Sequence, residues 1–435
     1  MMFKPFKFAL CAALLASLAL GCSDSDNGDN ETEEQTPQPS GVEVDMTESA
    51  LTAADVPSVD SNTAAEWGRG VTHFGIDFMH KVEKSTNYVF SPFSLHTALS
   101  MTACGASGDT LTAMSKALYI ADNANDIAKD NGAMRLNLRF DGQTEGSQFV
   151  IANRLWVDRT LQIVPDFKSH MDNEFKAPLQ IVDFVNHASQ VIGHVNDWVR
   201  NITNNMIKDL LLSSDVNIDT RLILINAIYF DGEWVNKFNK ERTVKGEFLA
   251  KGTNKKEMDM MNNTVSVNYY EDADYKAIVM PYKGDKFSMV FMLPNENDKL
   301  ASFITGMDEK VIEHITGDAK EQEVAITLPK FTIESNMSKT TDYLKSLGME
   351  IAFSGNADFS QMASNEKLHI SRVIHKAKIE VDEEGTRAAA ATAVVMDKEG
   401  KAQDVKVFNA DHPFAFALIH NSSKAILFAG QYTGE

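Results

Sequence analysis

Residues 221–230 read RLILINAIYF, and apart from Arg221 and Asn226 every side chain is apolar or aromatic. A run this short and this rich in isoleucine fits a strand in the middle of a sheet, covered on both faces. Such a strand needs partners on both edges and packed layers above and below. The chain supplies candidates for the partners. QFVIANRLWV (148–157), KAIVMPY (276–282), KFSMVFMLP (286–294), VAITLPKFTIE (324–334) and LHISRVIHKAKIEVD (368–382) all read as strands. VKVF, HPFAFALIH and KAILFAGQY add three more near the end.

Helical periodicity is concentrated earlier. Trp67, Val71, Phe74, Phe78 and Val82 recur at steps of three and four, the pattern of an amphipathic helix. A second helix is expected from Ser94, after Ser91-Pro92, and a third from a cap at Asp109-Thr110. Val191, Val195 and Trp198 mark another. Helices early and strands late make this an α+β chain rather than a repeating βαβ one.

The N-terminus reads as a targeting segment. Lys4 and Lys7 precede the apolar run Phe8 to Leu20, which is short for a bilayer span. It ends in Leu18-Ala19-Leu20-Gly21-Cys22, which resembles a bacterial lipobox with Cys22 as the lipidated residue. Residues 1–21 are therefore expected to be a lipoprotein signal peptide and 22–61 an acidic tether. The folded domain is expected over 62–435. The net charge of −20 is misleading as an average, because residues 23–60 hold eleven Asp or Glu and no Lys or Arg. Such a segment buries too little apolar surface to fold alone. No clustered basic surface suggests nucleic-acid binding. With Cys11 in the signal and Cys22 at the lipid site, Cys104 is left alone in the body. It is expected to be a structural thiol.

Catalytic patterns are missing from the sequence. There is no G-x-S-x-G elbow, no H-E-x-x-H, no P-loop and no G-x-G-x-x-G after a strand. The expectation is a protein that is not an enzyme, with no catalytic residue, metal or cofactor.

Five segments in order resemble the serpin family, over roughly residues 64–434. Asn87-Tyr-Val-Phe-Ser91-Pro92-Phe-Ser94 with Gly105-Ala106-x-Gly108-x-Thr110 is similar to the family's helix B region. Leu224-Ile-Asn226-Ala-Ile-Tyr-Phe230-x-Gly232-x-Trp234 resembles its third strand of sheet A. Leu328-Pro-Lys330-Phe331 resembles the sixth. His375-Lys-Ala377 leads through the fifth to Glu383-Glu384-Gly385-Thr386. Asn409-Ala-Asp-His-Pro413-Phe414 matches the C-terminal signature.

The resemblance implies three β-sheets (A, B and C), about nine helices and one exposed reactive-centre loop. It implies an inhibitor of serine endopeptidases, extending to papain-like cysteine proteases. The target forms a covalent acyl-enzyme on the loop, and the loop then inserts into sheet A. The alternative is a non-inhibitory binding or adhesin lipoprotein on the same fold. A monomer is expected, attached to a bacterial envelope through lipid alone. The site is the outer membrane, facing either the surface or the periplasm.

Insertion sets demands that the residues meet. Strand side chains alternate between faces. From a hinge at Glu383 and Gly385, the positions Thr386, Ala388, Ala390, Thr392 and Val394 share one face, and all are small or β-branched and uncharged. They could slide under helices without burying a charge. No proline occurs from 382 to 412, so each inserting residue keeps its backbone donor. The family count puts the reactive bond at Glu399–Gly400, with Lys398 and Lys401 as alternatives. Ser91, Ser94, Asn226 and His375 match the family's polar shutter under sheet A. Trp234 and Lys330, with Glu383, match the breach where the loop first enters.

Overall fold

A computed structural model describes residues 51–308, 310–386 and 405–435. The signal peptide, the lipid site at Cys22 and most of the loop, including Ala388, Ala390, Thr392 and Lys398 to Lys401, lie outside the described residues.

The first helix, α1 (Ser61–Lys81), starts where the Asp60 carboxylate accepts the backbone N–H groups of Asn62 and Thr63. Its Trp67, Val71, Phe74 and Phe78 are buried, as their spacing predicts. β1 (Tyr88–Phe90) follows, and then α2 (Pro92–Ala103). Ser91 caps α2 by accepting from the Ser94 N–H, and Pro92 takes the first turn, where a missing donor costs nothing. Nearly every side chain of α2 is buried, so this helix runs through the core. α3 (Gly108–Leu118) starts after Ser107, slightly before the expected cap at Asp109-Thr110. α4 (Ala124–Asp141) completes the early helices. Cys104, at the end of α2, is buried, and burial pushes its thiol pKa up, which suits an inert packing role.

The order of the chain begins before residue 62. The Gln143 side chain donates to the Leu51 carbonyl at 3.1 Å and accepts from the Leu51 N–H at 2.7 Å. Asn137 donates to the Pro57 carbonyl, and Val59 packs on the core. Residues 51–60 thus lie along α4 as part of the domain.

β2 (Ser147–Asp158), α5 (Pro165–Asn173), β3 (Leu179–Val182), α6 (Phe184–Ile202) and β4 (Leu222–Glu233) come next. They are followed by β5 (Val244–Ala250), β6 (Asn254–Glu271), β7 (Tyr275–Pro281) and β8 (Phe287–Pro294). Two short helices, α7 (Leu300–Gly306) and α8 (Val311–Asp318), lead to β9 (Lys320–Pro329) and β10 (Phe331–Asn336). Then come α9 (Thr340–Leu344), β11 (Lys376–Val381), β12 (Gly385–Thr386), β13 (Lys406–Asn409), β14 (Phe414–His420) and β15 (Ile426–Tyr432).

One sheet has the order β10-β11-β12-β4-β2-β3 and corresponds to the expected sheet A. The other strands form a continuous ladder, β1-β15-β14-β8-β7-β6-β9-β13, with β5 added on β6. The long β6 joins what the resemblance counts as two sheets. Its residues 254–260 pair with β5, 260–269 with β9 and 268–271 with β7.

The apolar run at 222–230 lies in β4, and it is central as expected. Its Ile228 and Phe230 join the main core, while Ile223 and Ile225 face a smaller cluster with Trp156 of β2 and Trp198 of α6. α6 therefore lies across the outer face of this sheet. The expected strand at 368–382 is shorter. Before Lys376, the Ile370 and Val373 N–H groups bond to Ala352 and to the Thr341 hydroxyl, so no strand ladder forms there.

Candidate functional site

Sheet A holds a strand that has barely begun. β12 is two residues long and antiparallel to both neighbours. Thr386 pairs with Gly232 of β4 on one side and with Val381 of β11 on the other. Below Thr386 the strands β4 and β11 form no ladder with each other in the described sheet order. A cleft of about 40 Å³ separates them, bounded above by Thr386 and below by Ser91, Ser94 and His375. Its walls include Ile228 and Phe230 from β4 and Ala377 and Ile379 from β11.

The top of the cleft is fastened tightly. Trp234, fully buried, donates its indole N–H to the Asp382 carbonyl at 3.0 Å and its backbone N–H to the Glu384 carbonyl at 2.9 Å. The Phe238 N–H bonds the Glu383 carbonyl. Trp234 stacks on Tyr282, with centroids 4.4 Å apart and planes 16° from parallel. The Tyr282 hydroxyl meets the Thr386 hydroxyl at 2.5 Å.

Glu383 is 4% exposed and is satisfied by Lys330 at 2.9 Å and by the Thr243 hydroxyl at 2.9 Å. Burial alone would raise its pKa. Lys330 and these hydrogen bonds outweigh that and hold the carboxyl below its usual range. The expected pairing of Trp234, Lys330 and Glu383 is therefore realised in one place. Gly385 has a steric reason to be glycine. A Cβ there would fall 1.9 Å from the Gly232 carbonyl oxygen.

The floor of the cleft brings the four shutter residues together. The Ser91 hydroxyl donates to the Leu427 carbonyl at 2.6 Å and accepts from the Ser94 N–H at 3.0 Å. The Ser94 hydroxyl donates to the Asn226 carbonyl at 3.2 Å. The Ser91 N–H donates to Nε2 of His375 at 3.0 Å, so this nitrogen is an acceptor and the ring is neutral. Burial lowers the His375 pKa to about 4, which keeps it neutral. Asn226 donates to the Asn153 side chain at 2.5 Å, and Asn153 to the Phe175 carbonyl. The Asn226 Oδ1 is buried with no hydrogen-bond partner.

Sequence reasoning missed Tyr282, Lys237 and Asn153. Tyr282 follows a strand that ends in proline, and only the fold stacks it under Trp234. Lys237 and Glu384 flank motif residues, yet their contact spans the sheet. Asn153 sits directly across from Asn226 in the β2–β4 register, which no spacing could reveal.

A serine, a histidine and a carboxylate do converge elsewhere. His420 bonds the Ser423 hydroxyl through Nδ1 at 2.8 Å and Asp141 through Nε2 at 2.9 Å. Ser423 and His420 are each 1% exposed. No substrate carbonyl could reach that hydroxyl, so the array ties the β14–β15 turn to α4 and is not a nucleophile site.

A six-stranded sheet in which a two-residue strand separates β4 from β11, with a polar cluster under the gap, is the arrangement the described residues present. The chain belongs to the serpin family, since the family model described as "Serpin (serine protease inhibitor)" matches residues 69–434. It is 36% identical to the leukocyte elastase inhibitor of Xenopus laevis over 376 residues, covering 83% of this chain and 97% of that one. It is 35% identical to the intracellular coagulation inhibitor 2 of Tachypleus tridentatus over 365 residues, covering 83% and 89%. Among solved structures, the cleaved serpin 42Da aligns with a TM-score of 0.78 and 30% identity, covering 86% of this chain and 99% of that one. The fold is the serpin fold, and the relatives are named as protease inhibitors.

Proposed function

We propose that this chain inhibits serine endopeptidases as a suicide substrate, by inserting its cleaved loop between β11 and β4. The reading extends to papain-like cysteine proteases, which also pass through an acyl-enzyme. The observation that carries it is the register of β12. Continued two residues at a time, it sets Ala388 opposite Phe230 and Ile379, and Ala390 opposite Ile228 and Ala377. Thr392 then falls between Asn226 and His375, where the Asn226 Oδ1 lacks a partner. Each incoming side chain is small, and each faces a buried or partly buried wall. Both neighbouring strands give the same assignment from separate ladders.

The chemistry follows from these parts. The protease nucleophile attacks the carbonyl of the bait residue and releases the amine on the other side, leaving an acyl-enzyme. The freed loop gains strand hydrogen bonds and buries small side chains. The Trp234–Tyr282 stack fixes its root, so the attached protease is carried along the sheet before water can free it. The bait is Glu399–Gly400, with Lys398 or Lys401 as alternatives. Lysine selects proteases with an acidic primary pocket, and glutamate selects glutamyl endopeptidases. Lipidation at Cys22 would hold the inhibitor on a bacterial envelope.

Incubation with trypsin, elastase and a glutamyl endopeptidase, followed by denaturing gels, tests the reading. It predicts a covalent complex that survives heat and detergent, with the released C-terminal peptide identifying the cut bond. Clean cleavage without complex would instead leave the non-inhibitory alternative.

A further inference from the structure

Lys237 lies three residues after Trp234, in the link from β4 to β5. Its ammonium is 2.8 Å from the Glu233 carboxylate, at the last residue of β4. It is also 2.8 Å from Glu384, one residue before β12. Lys240 reaches the other Glu384 oxygen at 3.1 Å, and Lys283 shares Glu233 at 2.6 Å. The exposures separate these contacts. The Lys237 and Glu384 side chains are 11% and 10% exposed, whereas Lys240 and Lys283 are about half exposed, at 56% and 45%. The central pair is shielded from water, and the outer lysines contribute little. Burial would lower the Lys237 pKa, but its two carboxylates hold it above the usual lysine range. It is charged at every working pH.

The clasp runs alongside the first rung of the unfinished strand, because Glu233 is the β4 residue that pairs with Gly385. That strand has two residues, and it has a single rung to β11. So short a strand does not set its own register. A slip of one residue would exchange the two faces and turn the arginine at 387 inward. We propose that Lys237 is a positioning residue for loop insertion: by bridging Glu233 to Glu384 it holds the two-residue nucleus in register against β4, so that the cleaved loop zips in before deacylation.

The proposal rests on the inhibitory mechanism above. Its test uses the full chain and a protease with which the wild type forms complex. The measured quantity is the moles of inhibitor consumed per mole of protease blocked, alongside the melting temperature of the intact protein. Lys237→Met is expected to raise the ratio roughly tenfold, the lower end of the scale for one lost charge-assisted hydrogen bond, while Lys237→Arg restores most of it. Glu384→Gln added to Lys237→Met should change the ratio little further, since both break one contact. A purely structural lysine would lower the melting temperature and leave the ratio unchanged. An unchanged ratio for Lys237→Met, with wild-type complex formed, overturns the positioning role alone. A wild type that forms no complex overturns the inhibitory reading and this proposal with it.

Discussion

Gly385 and Gly232 approach so closely that a methyl on the first would overlap the carbonyl oxygen of the second, at 1.9 Å. A methyl on Gly232 would in turn meet Phe230 at 2.6 Å and Tyr282 at 2.7 Å. Two glycines set diagonally across the β12–β4 ladder are what allow a new strand to start beside β4. Gly385→Ala should therefore expel the first rung. The expected loss is about 1–3 kcal/mol of stability, as for overpacking, measured by urea unfolding. Complex yield should fall with it. An unchanged midpoint would show that the backbone shifts to admit the methyl.

Thr386 is 4% exposed, and its hydroxyl meets that of Tyr282. Thr386→Arg would place a cation in this buried site against the Tyr282 ring. The cost of an unpaired buried charge is roughly 3–5 kcal/mol. The variant should be cleaved as a substrate with little covalent complex, as read on denaturing gels. Inhibition equal to wild type would count against insertion.

Acid should weaken the native fold in a defined window. His375 and His96 are both fully buried, and burial lowers both pKa values from 6.5 to about 4. Between these values the unfolded chain takes up protons that the folded chain refuses. Stability is therefore full above about pH 6.5, falls as pH drops toward 4, and stops changing from this cause below it. Each ring accounts for roughly 3 kcal/mol across the window. Denaturant midpoints at neutral pH and near pH 4.5 check this, and His375→Gln should remove about half of the slope. A flat profile would show that these rings are solvated.

α6 packs on β2 and β4, the latter being one of the two strands that border the cleft. Trp198 packs with Trp156 and Ile225 beneath it, and the Arg154 guanidinium lies 4.9 Å from the Trp198 ring. Trp198→Ala should cost about 3–5 kcal/mol of native stability. It should also hasten spontaneous loss of inhibitory activity at raised temperature, because a looser helix opposes insertion less. Unchanged stability would show that α6 is held elsewhere.

Much of this was legible where the sequence carries a local pattern. The isoleucine-rich run at 222–230 named the central strand, because a strand buried on both faces leaves no polar alternation. Glu383, Gly385 and Thr386, with Trp234 and Lys330, were singled out by motif, and the structure brings them together at the top of the cleft. What stayed hidden depends on register. Asn153 opposes Asn226 only because β2 and β4 align at that rung, and Tyr282, just after β7 of the other sheet, meets Thr386 only through the packing of the fold. The contacts of residues 51–60 stayed hidden as well: polar, acidic composition suggested a tether, whereas the Leu51 and Pro57 backbones are bonded by the Gln143 and Asn137 side chains.

The central claim is that the cut loop continues β12 in one register between β4 and β11. Ala390→Cys combined with Ala377→Cys tests it most directly, since opposed residues bring their Cβ atoms within about 4.5–5.5 Å. Cys104 is buried and serves as the internal thiol reference. Under mild oxidation, a thiol titration should show both introduced thiols lost after loop cleavage and retained before it. Retention of both thiols in the cleaved protein would contradict the account.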